Sequence, residues 1–181
     1  MKILVITGSP RRGGNSDLMA DEFIRGAKEN GHSVEKFATA FKKMSGCMAC
    51  EKCWSKDKPC VIEDDWQELA AKMEAAEALV FAYPLYWSTM PSQLKRAVDR
   101  LFSYCSKKCL RPLTGKSYIT LLCGECKGDE IFREVRSVHK GMAGYFSWEQ
   151  LGEIAIDGVF ERGAIQKTDA LKKAYELGKS L

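Results

Sequence analysis

The sequence predicts an α/β protein: a doubly wound, five-stranded parallel sheet of order 2-1-3-4-5 with helices on both faces. Three observations carry this. Short, nearly continuous apolar runs ("KILVITG", "ALVFAY", "SYITLLC") read as strands buried on both sides. Stretches with apolar residues three and four apart lie between them, so strands and helices alternate, the pattern of a covered parallel sheet. Glycine and proline punctuate the ends of the runs, where a strand must turn into a helix.

In chain order, Lys2–Gly8 is rich in branched residues and closed by glycine, as a buried strand. Asn15 to Asn30 carries Leu18, Met19, Phe23, Ile24 and Ala27 at helical spacing, with Gly31 as the stop. Ser33–Ala38 alternates like a strand. A cysteine-rich loop at 46–64 follows, and Asp65 is expected to cap a helix from about Trp66 to Ala76. Ala78–Tyr83 is a strand stopped by Pro84, and Pro91 suits the first turn of a helix reaching about Tyr104. Ser117–Cys123 is a third apolar strand. A helix from Asp129 to about Met142, a short strand Gly152–Ile156 and a closing helix Thr168–Leu177 complete the set. Five such strands fit the flavodoxin-like order, which places a ligand at the carboxyl ends of the first and third strands, where the winding reverses. The loops after Gly8, Tyr83 and Cys123 are therefore the ones to read. No repeat, low-complexity stretch or linker interrupts the chain, so residues 1–181 are expected to form one domain.

The 181 residues are 45% apolar and 29% charged, enough for a real core. A net charge of +4, with no block of five like charges, gives no sign of a nucleic-acid partner and suits a small anionic ligand. The longest apolar run, Ala78 to Trp87, is too short for a bilayer, and no membrane partner is expected. The apolar stretch near Met1 is too short for a secretory signal, so a cytoplasmic protein is expected. In a reducing compartment the 8 cysteines read as ligands, redox groups or core fillers before structural disulfides.

The first loop, "TGSPRRGGNS", opens a helix. Gly8, Gly13 and Gly14 let the backbone curl, Ser9, Asn15 and Ser16 add neutral donors, and Arg11 and Arg12 add charge. This reads as a phosphate cradle at a helix N-terminus, the alternative being a plain glycine-rich turn. It is neither a nucleoside-triphosphate loop, which lacks its lysine here, nor a G-x-G-x-x-G dinucleotide loop. The second, "YPLYWSTMPSQLKRAVDR", puts Tyr86 and Trp87 in a segment that should be exposed. They read as the wall of a flat-ring site, as an interface patch, or both. Lys95, Arg96, Asp99 and Arg100 read as a solvated or partner-facing helix edge.

Cys47, Cys50, Cys53 and Cys60 fall at intervals of three, three and seven. Four thiolates satisfy a [4Fe–4S] cube, and the longer gap lets the fourth return to the same cube. Zinc also takes four thiolates, and a set of free thiols is the third reading. The loop follows a strand, which would bring it to the ligand end of the sheet. Cys123 reads as core and its C-x-x-C mate Cys126 as exposed; Cys105 and Cys109 are expected to share a helix face. His32 and His139 read as satisfied surface or helix-end residues, and Trp54, Trp66 and Trp148 as packing or interface residues.

"GSPRRGGNS" together with "YPLYWSTMPSQLKRAVDR" closely resembles the NADPH-dependent FMN reductase family of flavodoxin-like proteins, over nearly the whole chain. The resemblance implies FMN, with Ser9, Arg11, Asn15 and Ser16 on its phosphate, Pro84, Leu85, Tyr86 and Trp87 along its ring, and Gly124 in the third loop at the ring's polar edge. "CMACEKC" with Cys60 resembles the family's iron–sulfur flavoproteins, which implies a [4Fe–4S] cluster on Cys47, Cys50, Cys53 and Cys60. NAD(P)H is the implied electron donor to an unidentified acceptor. The flavin carries the chemistry, so no acid–base triad is expected. The alternatives are a cluster-free reductase of quinones, nitro compounds or free flavin, a flavodoxin-type electron carrier, and a flavin-free interaction protein. A mildly basic chain speaks against the carrier. Tyr86 and Trp87, with the aromatics of "GYFSW" (Gly144–Trp148), imply a homodimer or dimer of dimers.

Overall fold

The computed structural model describes all residues, Met1–Leu181. Five parallel strands form one sheet in the order β2-β1-β3-β4-β5, as the sequence predicts. They are β1 (Lys2–Thr7), β2 (Ser33–Ala38), β3 (Ala78–Pro84), β4 (Ser117–Cys123) and β5 (Glu149–Ile156). Helices α1 (Asn15–Glu29), α2 (Trp66–Ala75), α3 (Ser92–Asp99), α4 (Arg133–Phe146) and α5 (Ala170–Lys179) connect and follow them.

The central strands read as unbroken apolar runs because both sheet faces are covered, and the two-residue period sends neighbours to opposite cores. Leu4, Ile6, Leu79, Phe81, Tyr83 and Leu122 pack with Trp66, Leu69, Leu94 and Val135 on one face. Ile3, Val5, Val80, Ala82, Ile119 and Leu121 pack with Met19, Phe23, Ala27 and Ala174 on the other. Trp54, Trp66 and Trp148 are buried, and their indole N–H groups donate to the carbonyls of Ser103, Ala97 and Leu113.

Several local expectations need correction. Asp64, not Asp65, serves the start of α2: its Oδ1 accepts from the Trp66 amide at 3.1 Å, while the Asp65 carboxylate accepts from the Lys43 amide. Pro91 precedes α3 rather than opening it, and α3 ends at Asp99, passing into a 3₁₀ segment, Arg100–Cys105. The predicted helix from Asp129 begins as a 3₁₀ turn, and α4 proper starts at Arg133. Strand β5 begins at Glu149, three residues early, because a register shift at Tyr118/Ile119 lets the polar edge residues pair. Arg96 and Arg100 are not solvated: Arg96 donates to the carbonyls of Thr39 and Lys42, and Arg100 is 2% exposed beside Asp64. His139 is buried, with Nε2 2.5 Å from the Tyr83 hydroxyl. No helix is long and apolar enough to cross a membrane.

Candidate functional site

The loop after β1 is shaped by positions only glycine can fill. A β-carbon on Gly8 would lie 3.0 Å from those of Leu94 and Tyr83, and one on Gly14 2.9 Å from the Arg11 carbonyl oxygen. Ser9 Oγ accepts from the Arg11 amide at 3.1 Å, and Asp17 accepts from Gly13, whose φ is +63°. After these bonds the amides of Ser9, Arg12, Asn15, Ser16 and Asp17 donate to no backbone carbonyl. Ser16 Oγ is buried without a partner. Amides without a backbone acceptor at the positive end of a 15-residue helix suit an anion, and Ser16 also faces the Cys123 sulfur.

Asn15 has another duty. Its Nδ2 donates to the Glu161 carbonyl at 3.0 Å and its Oδ1 accepts from the Ile165 amide at 3.2 Å. The segment after β5 is thereby tied across the first loop. Arg11 lies over the Phe160 ring at 5.6 Å and Arg12 over the Phe41 ring at 4.0 Å.

The three predicted loops converge. A cleft of about 200 Å³ is walled by Arg11 and Asn15, by Pro84, Leu85 and Tyr86, by Cys123, Gly124 and Glu125, and by Val159 and Phe160. The Leu85 amide donates to the Cys123 carbonyl at 2.7 Å, extending the ladder beyond β3. A β-carbon on Gly124 would lie 2.7 Å from Ile131, so the third loop passes close only as glycine. Burial pushes the Cys123 thiol up to about 12, which leaves it an inert wall. Val159 and Phe160 carried no signal in the sequence; they follow the edge strand without a motif. Trp87 does not line this cleft. It stands 99% exposed at φ 50°, next to Ser88 at φ 60°, on an adjoining cleft of about 550 Å³ that shares Leu85, Gly124 and Glu125.

Cys47, Cys50, Cys53 and Cys60 all line one small cavity with Met48, Val61, Ile62, Arg100, Phe102 and Ser103. All are free thiols. Asp64 closes the loop: it accepts from the Ser45 amide at 2.9 Å and from Arg100 at 2.7 Å, and Arg100 also donates to the Ile62 carbonyl. Burial and these bonds oppose one another at Asp64; the Ser45, Arg100 and Trp66 donors prevail and hold its carboxyl below the usual range. Trp54 anchors the far end, 5.8 Å from Tyr104 and 4.9 Å from the Arg111 guanidinium. Between these anchors Ala49, Glu51, Trp54 and Asp57 take left-handed φ, each a cost of about 1–3 kcal/mol that the anchors offset. No amide from Gly46 to Cys53 donates to a backbone carbonyl. Burial raises the Cys53 thiol, and the three other thiols raise it further, so a cation among them would reverse the trend. No three such side chains converge on a single-ion site. The cavity lies against the Arg100–Cys105 segment and shares no lining residue with either cleft. Cys105 and Cys109 flank the end of that 3₁₀ segment instead of sharing a helix face, and Cys126 is exposed as expected.

An iron–sulfur flavoprotein of Archaeoglobus fulgidus is 32% identical over 181 residues, covering 100% of this chain and 79% of the relative. One of Methanosarcina thermophila is 32% identical over 142 residues, 78% of this chain and 73% of that one. An NAD(P)H:quinone oxidoreductase from Methanothermobacter marburgensis shares the fold, with a TM-score of 0.74 at 20% identity over 99% of this chain and 95% of its own. The model of the NADPH-dependent FMN reductase family matches residues 1–141. With that match and full-length similarity to a flavoprotein, the chain is an FMN oxidoreductase and belongs to the NADPH-dependent FMN reductase family.

Proposed function

We propose that FMN binds where the three loops converge, its phosphate at the Ser9–Ser16 loop and its ring along Pro84, Leu85, Tyr86 and Gly124, and that Cys47, Cys50, Cys53 and Cys60 hold a [4Fe–4S] cluster. The carrying observation is the meeting of three strand-end loops at one cleft lined by Arg11 and Asn15, in the same loop that carries the free amides and the buried Ser16 hydroxyl. When bound, FMN supplies two-electron exchange with NAD(P)H and a cluster supplies one-electron transfer. The chain's own part is to bind and to exclude water. Arg11 and the free amides neutralise a dianionic phosphate, and the Asn15 bonds hold the C-terminal segment over the site. Of the residues assigned to the ring, Trp87 stands apart on the outer cleft.

The cluster reading is supported by the four thiols lining one small, mostly apolar cavity, and four thiolates satisfy a [4Fe–4S] cube. The unbonded amides of Gly46 to Cys53 are available to cluster sulfurs. The relatives bear the iron–sulfur name. Self-association as a homodimer is assigned to the exposed Met48 and Phe102 beside that cavity and to Tyr145; Phe146 and Trp148, expected to contribute, are buried. Sedimentation as a monomer at micromolar concentration contradicts that assignment. The FMN assignment is tested by titrating stripped protein with FMN. Ser16→Glu sets a carboxylate in the cradle and should weaken binding at least about tenfold; unchanged affinity refutes the cradle.

A further inference from the structure

One cation lines the four-cysteine cavity: Arg100, at 2% exposure. An arginine is rarely so deeply buried unless it is paired. Its Nη1 donates to both oxygens of Asp64 at 2.7 Å and its Nη2 to the Ile62 carbonyl at 3.2 Å, and the guanidinium carbon lies 4.6 Å from the centre of the Trp66 ring. The third nitrogen is left over: Nε is buried and has no acceptor. A buried donor without an acceptor is costly, and a planar guanidinium held at its other two nitrogens is not free to turn toward one. Arg96, one turn earlier in α3, also has a buried Nε without an acceptor, but it lines no part of this cavity. Around Arg100 the cavity supplies sulfur. Cys47, Cys50, Cys53 and Cys60 line it, and the single acidic side chain among the lining residues is the exposed Glu51.

We infer that Arg100 sets the redox potential of the cluster: its Nε–H is free to donate to a cluster or cysteine sulfur, and its charge favours the reduced form. The inference rests on Cys47, Cys50, Cys53 and Cys60 holding the cluster. Reduction adds one electron, and so one negative charge, with no bond made or broken. A hydrogen bond to sulfur and a nearby cation both stabilise the added charge, and both raise the potential. Burial strengthens them, because little water is present to screen the charges. Asp64 opposes the effect by neutralising part of the guanidinium charge. The pair therefore holds the potential between two limits, each of which a single substitution exposes.

The test is a mediated titration of the anaerobic holoprotein, in which an electrode supplies the single electron and the EPR signal of the reduced cluster reads the midpoint. Arg100→Lys keeps the charge and removes the Nε–H. It should shift the equilibrium about tenfold toward the oxidised cluster, which is about 59 mV for one electron. Asp64→Asn removes the opposing charge and should shift the midpoint the other way. A merely structural role moves both variants in one direction, because each loosens the same loop. Arg96→Lys should leave the midpoint where it is. Should Arg100→Lys fail to hold iron, the wild-type protein carries the test. With arginine bearing heavy nitrogen in its guanidinium, pulsed EPR of the reduced cluster should show the hyperfine coupling of the labelled nucleus. A midpoint unmoved by Arg100→Lys, shifts of one sign in the two variants, or no arginine coupling overturns the inference. Failure of the underlying cluster reading is distinct and shows earlier: the anaerobic protein then holds no iron or sulfide before any electron is added.

Discussion

Asp64 is bonded to the Ser45 amide, the Trp66 amide and the Arg100 guanidinium, so one carboxylate closes the cysteine loop, starts α2 and neutralises a buried cation. Arg100 at 2% exposure is bound to it, and removing Asp64 leaves that guanidinium buried without its counter-charge. Asp64→Ala should cost about 3–5 kcal/mol in chemical denaturation, well above the effect of breaking an exposed pair such as Arg133–Glu134. None of this was legible beforehand, because "AVDR" reads equally as a solvated helix edge; only the return of the loop onto α3 decides it. His139, expected at the surface or a helix end, is instead buried where α4 packs on Phe81, Tyr83 and Tyr118. Burial lowers its pKa from 6.5 to about 4. Between those values the unfolded chain binds a proton that the folded chain does not. This contribution to stability is full above pH 6.5 and declines as pH falls toward 4, by about 2 kcal/mol between pH 7 and 5. Urea titrations at both pH values should show the loss, and His139→Gln should remove most of it; an unchanged slope in the variant would assign the loss to other groups.

Among the elements, the paired glycines of α1 and α5 show how contact overrides propensity. Alanine is favoured over glycine inside a helix by about 1 kcal/mol. A β-carbon on Gly26 would nevertheless run into the Tyr175 carbonyl, and one on Gly178 into that of Phe23. Gly26→Ala should destabilise by about 2–3 kcal/mol, as overpacking does. Gly141→Ala in α4, where nothing lies within 4 Å, should stabilise by about 0.5–1 kcal/mol. Thermal melts of the two variants moving in the same direction would refute the contact argument. The three apolar strand segments, β1, β3 and β4, were readable because burial on both faces leaves an uninterrupted signal. The start of β5 was not: Glu149–Leu151 is exposed at the sheet edge, and hydrogen bonding rather than burial keeps it extended. Val159 and Phe160 escaped notice because a segment placed by the Asn15 side chain and by the Gly124 carbonyl has no periodicity of its own.

For the molecule as a whole, strand order determines where chemistry can occur. The reversal of winding between β1 and β3 opens the space that the three glycine- and proline-marked loops fill, so most of the inner cleft was readable from loop composition and topology together. Pro84, Leu85, Tyr86, Gly124, Arg11 and Asn15 line it, whereas Trp87 belongs to the neighbouring cleft. The gathering of the four cysteines at one cavity was implied by their spacing; its position against the Arg100–Cys105 segment depended on long-range bonds that spacing does not encode. Replacing Cys50 with Ala should remove a cluster's broad visible absorption and leave FMN binding intact. The central claim, a family flavin site joined to a four-cysteine cluster in one chain, is tested most directly by purifying the protein without oxygen and assaying flavin, iron and acid-labile sulfide together. The account predicts about one FMN and about four each of iron and sulfide per chain, with the flavin band bleached by NADPH; full FMN with neither iron nor sulfide would contradict it.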